Sequence, residues 1–129
     1  MNESALLFVY GSLRSGAGHA MGRWLAEQGM HAGAAWMPQA ALYRVDWYPG
    51  MTGGTGRVRG DLFMLRDPVA AWPALDAFEG IRRQADDEYE RRLCSVERED
   101  GERVTAWAYW YRLPVQGLTE VGSGDWLAR

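Results

Sequence analysis

Glu79 stands where a carboxylate is awkward to place. It follows Phe78 and precedes Gly80 in Leu75-Asp76-Ala77-Phe78-Glu79-Gly80, a stretch that reads as the end of a short helix. The negative end of the helix dipole opposes a carboxylate there by about 0.3–1 kcal/mol. An apolar neighbour adds a desolvation penalty. Both effects raise a carboxyl pKa towards neutrality, where the group serves first as general base and then as general acid. A solvated glutamate at a frayed helix end would read the same way, and Asp76, three residues earlier, reads as a surface charge.

A second feature is the glycine-containing loop from Gly11-Ser12 through Gly16 and Gly18. A strand that runs through such a loop into a helix presents unpaired backbone N–H groups, a concavity that binds anions. A P-loop is excluded, because Ala17-Gly18 follows Gly16 where Lys-Ser/Thr is required. A dinucleotide fingerprint is excluded too, because no third glycine follows Gly16-Ala17-Gly18 at the required spacing. An organic carboxylate suits this loop better than a nucleotide does, and a plain strand-to-helix turn is the simpler alternative.

The remaining candidates are weaker. Asp86-Asp87-Glu88 looks like paired carboxylates, but neighbours on a loop usually form a solvated face. Tyr89 follows them, and an aromatic hydroxyl just before a strand can reach into a cleft. Cys94 alternates inward on a strand and reads as a small core residue. His19 and His31 carry no local signature, and the aromatic residues between 107 and 111 are explained by core packing.

The elements that must hold these residues follow from periodicity. Ala5-Leu6-Leu7-Phe8-Val9-Tyr10 is a continuous apolar run and predicts a strand buried on both faces. Ala20, Met21, Trp24 and Leu25 share a helical face that Gly29 would cap. Residues 40–48 predict a strand ending at Pro49-Gly50. Gly53, Gly54 and Gly56 then lead into an alternating strand across 57–65, with Gly60 at a bend or close approach. Asp67-Pro68 predicts a short turn, and Pro73 opens a second helix that Gly80 closes. Residues 92–98 alternate, and Leu93–Val96 should pair antiparallel with Val104–Leu113 about an Asp100-Gly101 turn. The chain ends in a turn at Gly122-Ser123-Gly124-Asp125 with Trp126 as an anchor. Five or more strands and two short helices make an α+β plan, and closure into a barrel protects so many short strands.

Composition sets the limits. The 129 residues suit one domain spanning 1–129, with 47% hydrophobic and 24% charged residues. A single cysteine excludes an internal disulfide and a Cys-rich zinc site, and two histidines cannot make a three-histidine metal site. The longest apolar run, residues 5–10, is far shorter than a membrane span, and Glu3 with no basic residue before it argues against a secretory signal. The net charge of −3, with every basic residue an arginine, disfavours nonspecific nucleic-acid binding. A cytoplasmic location is the expectation, and the oligomeric state is left open.

Taken in order along the chain, the blocks Val9-Tyr10-Gly11-Ser12-Leu13-Arg14, Tyr48-Pro49-Gly50 and Val58-Arg59-Gly60-Asp61-Leu62-Phe63 resemble the gamma-glutamylcyclotransferase superfamily. So do Leu75-Asp76-Ala77-Phe78-Glu79-Gly80, Tyr89-Glu90-Arg91, Ala106-Trp107-Ala108-Tyr109-Trp110-Tyr111 and Ser123-Gly124-Asp125-Trp126. The length and the Ser-Gly-Asp-Trp ending are similar to the small bacterial YtfP-like branch, and the Tyr-Gly-Ser-Leu loop resembles that of gamma-glutamylamine cyclotransferases. The resemblance implies a small mixed β-barrel with flanking helices that converts a γ-glutamyl amide into 5-oxoproline and a free amine. It implies that Tyr10, Gly11, Ser12 and Leu13 bind the glutamyl moiety through backbone amides and that Glu79 is the acid/base residue. Some members of the bacterial branch lack that glutamate, and this chain keeps it. One departure is the stretch 81–88, longer than in several relatives, just before Tyr89.

Because the substrate's α-amine attacks its own γ-carbonyl, the implied chemistry needs no enzyme nucleophile, no metal and no organic cofactor. Backbone amides or the Tyr89 hydroxyl would steady the developing oxyanion. The recognised half leaves the departing amine open: glutathione, γ-glutamyl amino acids, γ-glutamyl-ε-lysine and an antibiotic intermediate share it. The loops 46–56 and 81–88 would face that side. A catalytically silent binding module for a small γ-glutamyl or amino-acid ligand is the alternative, although a pure binder has no need of Glu79.

Overall fold

The apolar run at the start of the chain becomes β1 (Leu6–Val9), whose alternate side chains enter two different cores. The computed structural model of the protein describes residues 5–11 and 20–129. Phe8 and Tyr10 point into one cluster with Met37, Leu42 and Leu62, while Leu7 and Val9 join Leu25, Phe63 and Leu75 in the other. This is the strand buried on both faces that the sequence predicts.

β1 lies between β3 (Pro49–Leu65), antiparallel to it, and β5 (Arg103–Tyr111), parallel to it. β5 pairs antiparallel with β4 (Tyr89–Arg98) about the expected Asp100-Gly101 turn, where Gly101 takes φ +87° and its N–H reaches the Arg98 carbonyl. β4 pairs with β2 (Gly29–Arg44), and β2 returns to β3, closing a five-stranded mixed barrel in the order β3-β1-β5-β4-β2. A two-residue β6 (Thr119–Glu120) extends the far end of β2. Closure leaves few unpaired strand edges. The barrel is narrow, so Ala35, Ala40, Ala106 and Ala108 are fully or almost fully buried beside larger side chains such as Phe8 and Met51.

β2 and β3 are longer than the periodicity indicates. β2 begins at Gly29 rather than near residue 40, and the glycine cluster lies inside β3 rather than ahead of it. Ala40 faces both Gly53 and Gly56, a bulge that bends two long strands around the barrel and interrupts simple alternation. Gly60 is the predicted close approach: a Cβ there would collide with the Val9 carbonyl oxygen and stand 2.5 Å from the Phe8 ring.

Two helices cover the second cluster, α1 (Ala20–Gln28) through Leu25 and α2 (Pro68–Phe78) through Ala71 and Leu75. Asp67 caps α2 by accepting the Ala70 N–H, and Pro68 takes the first helical position. The helix runs through Pro73 instead of starting there. The missing proline N–H strands only the carbonyl of Val69, a residue 84% exposed, so water satisfies it. At the C-terminal end of the chain Asp125 caps a short 3-10 turn, and Trp126 is buried in the barrel cluster, as the anchoring reading expects. Among the described residues no helix is long and apolar enough to cross a membrane.

Candidate functional site

The C-terminal turn of α2 closes with three residues that do different jobs. Glu79 is the last residue with helical backbone, and its N–H bonds to the Leu75 carbonyl. Gly80 then turns left-handed at φ +74°, and its N–H reaches Ala77 while that of Ile81 reaches back to Asp76. This pair of bonds is a Schellman motif, and Ile81 packs against the cluster that contains Leu75. The motif satisfies the last carbonyls of the helix and aims Glu79 at the end of β1.

Between that turn and the barrel lies a cavity of about 280 Å³. The end of β1 supplies Tyr10 and Gly11, the β2–β3 turn supplies Trp47, Tyr48 and Pro49, and the start of β4 supplies Glu88 and Tyr89. Tyr109 of β5 closes the floor beside Glu79. The Tyr48-Pro49-Gly50 block builds these walls by close contact. A Cβ at Gly11 would lie 2.8 Å from the Pro49 ring, and one at Gly50 would lie 2.7 Å from the Tyr111 ring, so neither position tolerates a side chain.

The cavity holds four tyrosines, and each hydroxyl donates its proton to the protein. Tyr10 donates to the Tyr109 carbonyl at 2.7 Å and accepts the Met51 N–H at 3.3 Å. Tyr89 donates to the Pro49 carbonyl at 2.6 Å. Tyr109 donates to Asp76 at 2.6 Å, and Tyr48 donates to Glu88 at 2.6 Å. Burial pushes the pKa of all four upward. They remain neutral phenols and present lone pairs to the cavity. Tyr89 thus lines the site as expected, but its proton already rests on Pro49 rather than pointing at a developing oxyanion.

Asp76 and Glu79, three residues apart on one helix, have opposite surroundings. Asp76 accepts two bonds from Arg91, at 3.0 and 3.3 Å, besides the one from Tyr109. The Arg91 guanidinium lies against the faces of Trp72 and Trp107, 4.3 and 4.6 Å from their ring centroids. Glu79 has no such counter-ion among the described residues. Burial pushes its pKa up to about 8, and the negative charges of Asp76 and Glu88 add to the rise. A half-buried carboxyl whose pKa is raised to about 8 in a cavity is equipped to take and return a proton.

The structure brings Tyr10, Gly11, Glu79 and Tyr89 to one cavity, while Ser12, Leu13 and His19 lie outside the described residues. Reading the sequence missed Tyr48, Glu88 and Tyr109 as lining residues and misjudged Asp87 as part of a solvated face. Asp87 is buried, and one carboxylate oxygen accepts the N–H groups of Arg82, Arg83 and Gln84 at 2.9, 2.8 and 3.3 Å. It folds the 81–88 loop around itself. The Asp-Asp pair carried no signal of this, because only the path of the loop separates the buried residue from exposed Asp86. Cys94 lies on β4 away from the cavity, its sulfur accepting the Trp110 indole N–H at 3.1 Å and its thiol pKa raised by burial. His31 pairs with Asp61 at 3.3 Å, also outside the cavity.

Residues 7–128 match the family described as "Gamma-glutamyl cyclotransferase, AIG2-like". The chain is 35% identical over 123 residues to a gamma-glutamylcyclotransferase family protein of Escherichia coli, YtfP, covering 95% of this chain and 96% of that one. It is 31% identical over 124 residues to a putative gamma-glutamylcyclotransferase of Vibrio cholerae, with 96% of each chain covered. The solution structure of the E. coli protein superposes with a TM-score of 0.64 at 33% identity over 95% of this chain and 96% of that one. An AIG2-like protein of Mus musculus superposes with a TM-score of 0.67 at 21% identity, over 92% of this chain and 86% of that one, and shares the fold.

Proposed function

Since the chain belongs to the gamma-glutamyl cyclotransferase, AIG2-like family, we propose that it converts a γ-glutamyl amine or γ-glutamyl peptide into 5-oxoproline and a free amine. Glu79 is the acid/base residue of this reading. Its carboxylate removes a proton from the substrate's α-ammonium, and the freed nitrogen attacks the γ-carbonyl carbon of the same molecule. A five-membered lactam forms as the bond to the departing nitrogen breaks; Glu79 returns its proton to that nitrogen, and the second proton shed by the attacking nitrogen leaves with the amine product as its ammonium. Electrophile and nucleophile arrive in one molecule, so most of the catalysis is conformational: the cavity holds the substrate folded for attack.

The observation that carries this reading is Glu79 itself, half-buried in a cavity at the end of β1 with its pKa pushed up to about 8. At neutral pH about a tenth of such a group is ionised and ready as base, and the remainder is stocked as acid. The α-carboxylate is assigned to the backbone N–H groups of Gly11, Ser12 and Leu13. Tyr10 and Tyr89 serve as walls whose oxygens accept hydrogen bonds from the substrate. Residues 1–129 act as one domain, and a single cysteine suits the reducing cytoplasm.

The test is 5-oxoproline release from a panel of γ-glutamyl amines by the wild type and by Glu79→Gln. Release that the substitution abolishes, with ligand binding retained, supports the assignment. Turnover that survives in Glu79→Gln removes Glu79 from its role. Binding of γ-glutamyl compounds without release from any of them favours the silent binding module.

A further inference from the structure

We infer that Arg91 is a positioning residue for the acid/base step: clasped against two indole rings, it anchors Asp76 to the barrel and offsets the negative charge that Asp76 turns towards Glu79. Its place in a reaction rests on the cyclotransferase reading; the clasp itself rests on geometry.

The clasp is built from two periodicities. Trp72 and Asp76 lie four residues apart on α2 and so share one face of the helix. On the sheet Arg91 stands directly opposite Tyr109, and Leu93 directly opposite Trp107, so Arg91, Tyr109 and Trp107 project from one face. Where helix and sheet meet, the Arg91 guanidinium lies against the rings of Trp72 and Trp107. Its Nε donates to one Asp76 oxygen at 3.0 Å and its Nη2 to the other at 3.3 Å, while the Tyr109 hydroxyl donates to the first oxygen. The two charged side chains are only 21% and 25% exposed, so water screens the pair less than it would at an open surface. A lysine would supply the charge without the planar fork that both the carboxylate and the rings require.

Asp76 is fixed at its main chain as well, because its carbonyl accepts the Ile81 N–H at 2.9 Å across the left-handed Gly80. Glu79 lies between these two fixings. The groups that face it are Asp76 on its own helix, Glu88 and Tyr89 from the start of β4, Tyr10 from the end of β1, and Tyr109 from β5. Tyr48 lines the same cavity from the β2–β3 turn. Two of these groups are carboxyls and the rest are neutral phenols, and among the described residues no arginine or histidine lines the cavity. Arg91 stands behind Asp76, outside the cavity, where its charge opposes the one that makes Glu79 harder to ionise. Without it Asp76 would face Glu79 uncompensated.

The test is a carbon-13 NMR titration of the Glu79 carboxyl in the unliganded protein, with Glu79→Gln identifying the signal. Arg91→Met keeps a long side chain against the indoles and removes the charge. The midpoint should move up by about half a pH unit, which leaves about threefold less carboxylate at a fixed pH below it. Asp76→Asn should move the midpoint down, and the Asp76→Asn/Arg91→Met double variant should fall between the two single variants. The rising limb of kcat/KM against pH should follow the same order, which a loosened helix alone would not produce. An Arg91→Met midpoint equal to that of the wild type, or below it, overturns the inference. If Arg91→Met does not fold, the double variant, which leaves neither charge of the pair, takes its place. A midpoint above that of Asp76→Asn then supports the role, and an equal one removes it. If no γ-glutamyl compound is turned over, the cyclotransferase reading fails on its own, and the titration still decides whether Arg91 governs Glu79.

Discussion

The turn that ends α2 and the loop that follows it each hold a carboxylate withdrawn from water, eight residues apart, and the two are shifted in opposite directions. For Glu79 burial is the leading cause, the neighbouring charges are negative, and the pKa rises to about 8. For Asp87 burial also works against the charge, yet the N–H groups of Arg82, Gln84 and Arg83 and the Arg82 guanidinium outweigh it, and the pKa falls. The difference lies in the backbone. Among the described residues no N–H group reaches the Glu79 carboxyl, whereas the 82–84 loop turns three N–H groups towards Asp87. Desolvation alone does not decide the direction of a carboxyl's shift; the donors around it do.

The sharpest way to break this comparison is to substitute both residues. Glu79→Gln should lower 5-oxoproline release by about a hundredfold or more, the usual contribution of a general acid/base group. Loss of less than tenfold would place the proton transfer elsewhere. Asp87→Ala should instead leave the N–H groups of Arg82, Arg83 and Gln84 without their acceptor and lower the melting temperature by several degrees, read by calorimetry. An Asp87→Ala variant as stable as the wild type would mean that the loop is held by other contacts.

A subtler test uses pH. The rate at low substrate should rise with pH, reach about half its maximum near pH 8 as Glu79 ionises, and level off above that. Asp76→Asn removes the negative charge with the larger effect on Glu79, so its carboxylate form becomes easier to reach and the rising limb should move to lower pH. A limb that stays in place would show that burial and Glu88 set the pKa without Asp76. Asp76→Asn also loosens Arg91 and Tyr109, so the pH profile rather than the absolute rate is the readout.

The smallest effect concerns stability. A carboxyl whose folded pKa is raised favours the folded state below its unfolded pKa, and that contribution disappears as pH rises through the folded value. For Glu79 the window runs from about 4.5 to about 8. Glu79→Gln should therefore melt a few degrees above the wild type at pH 9, with the gap shrinking towards pH 5, by scanning calorimetry. No gap at pH 9 would mean that the cavity hydrates the charge well.

How much of this was legible beforehand depended on whether a feature is local. β1, the Asp100-Gly101 hairpin and the Glu79-Gly80 helix end are written in neighbouring residues, and the structure has them where expected. The first half of β2 was not, because its alternation is broken at Gly33 and Gln39, which take positive φ at its register shifts. Pro73 misled because the harm of a proline depends on which carbonyl it strands. Tyr48, Glu88 and Tyr109 are joined to the site by hydrogen bonds spanning 33 to 40 residues, which no spacing rule encodes. The donor state of each tyrosine is likewise a property of the assembled barrel.

The left-handed step at Gly80 separates two tasks that evolution can address one at a time. Up to Gly80 the chain is fixed by the helix and by the reach of Ile81 back to Asp76; from Arg82 it is fixed by the knot around Asp87. The stretch between the two locks works as a splice joint. Residues can be exchanged, or the loop lengthened, on the far side of Gly80 without rotating Glu79. A scaffold of this kind can vary the loop beside the cavity while the proposed acid/base residue keeps its place.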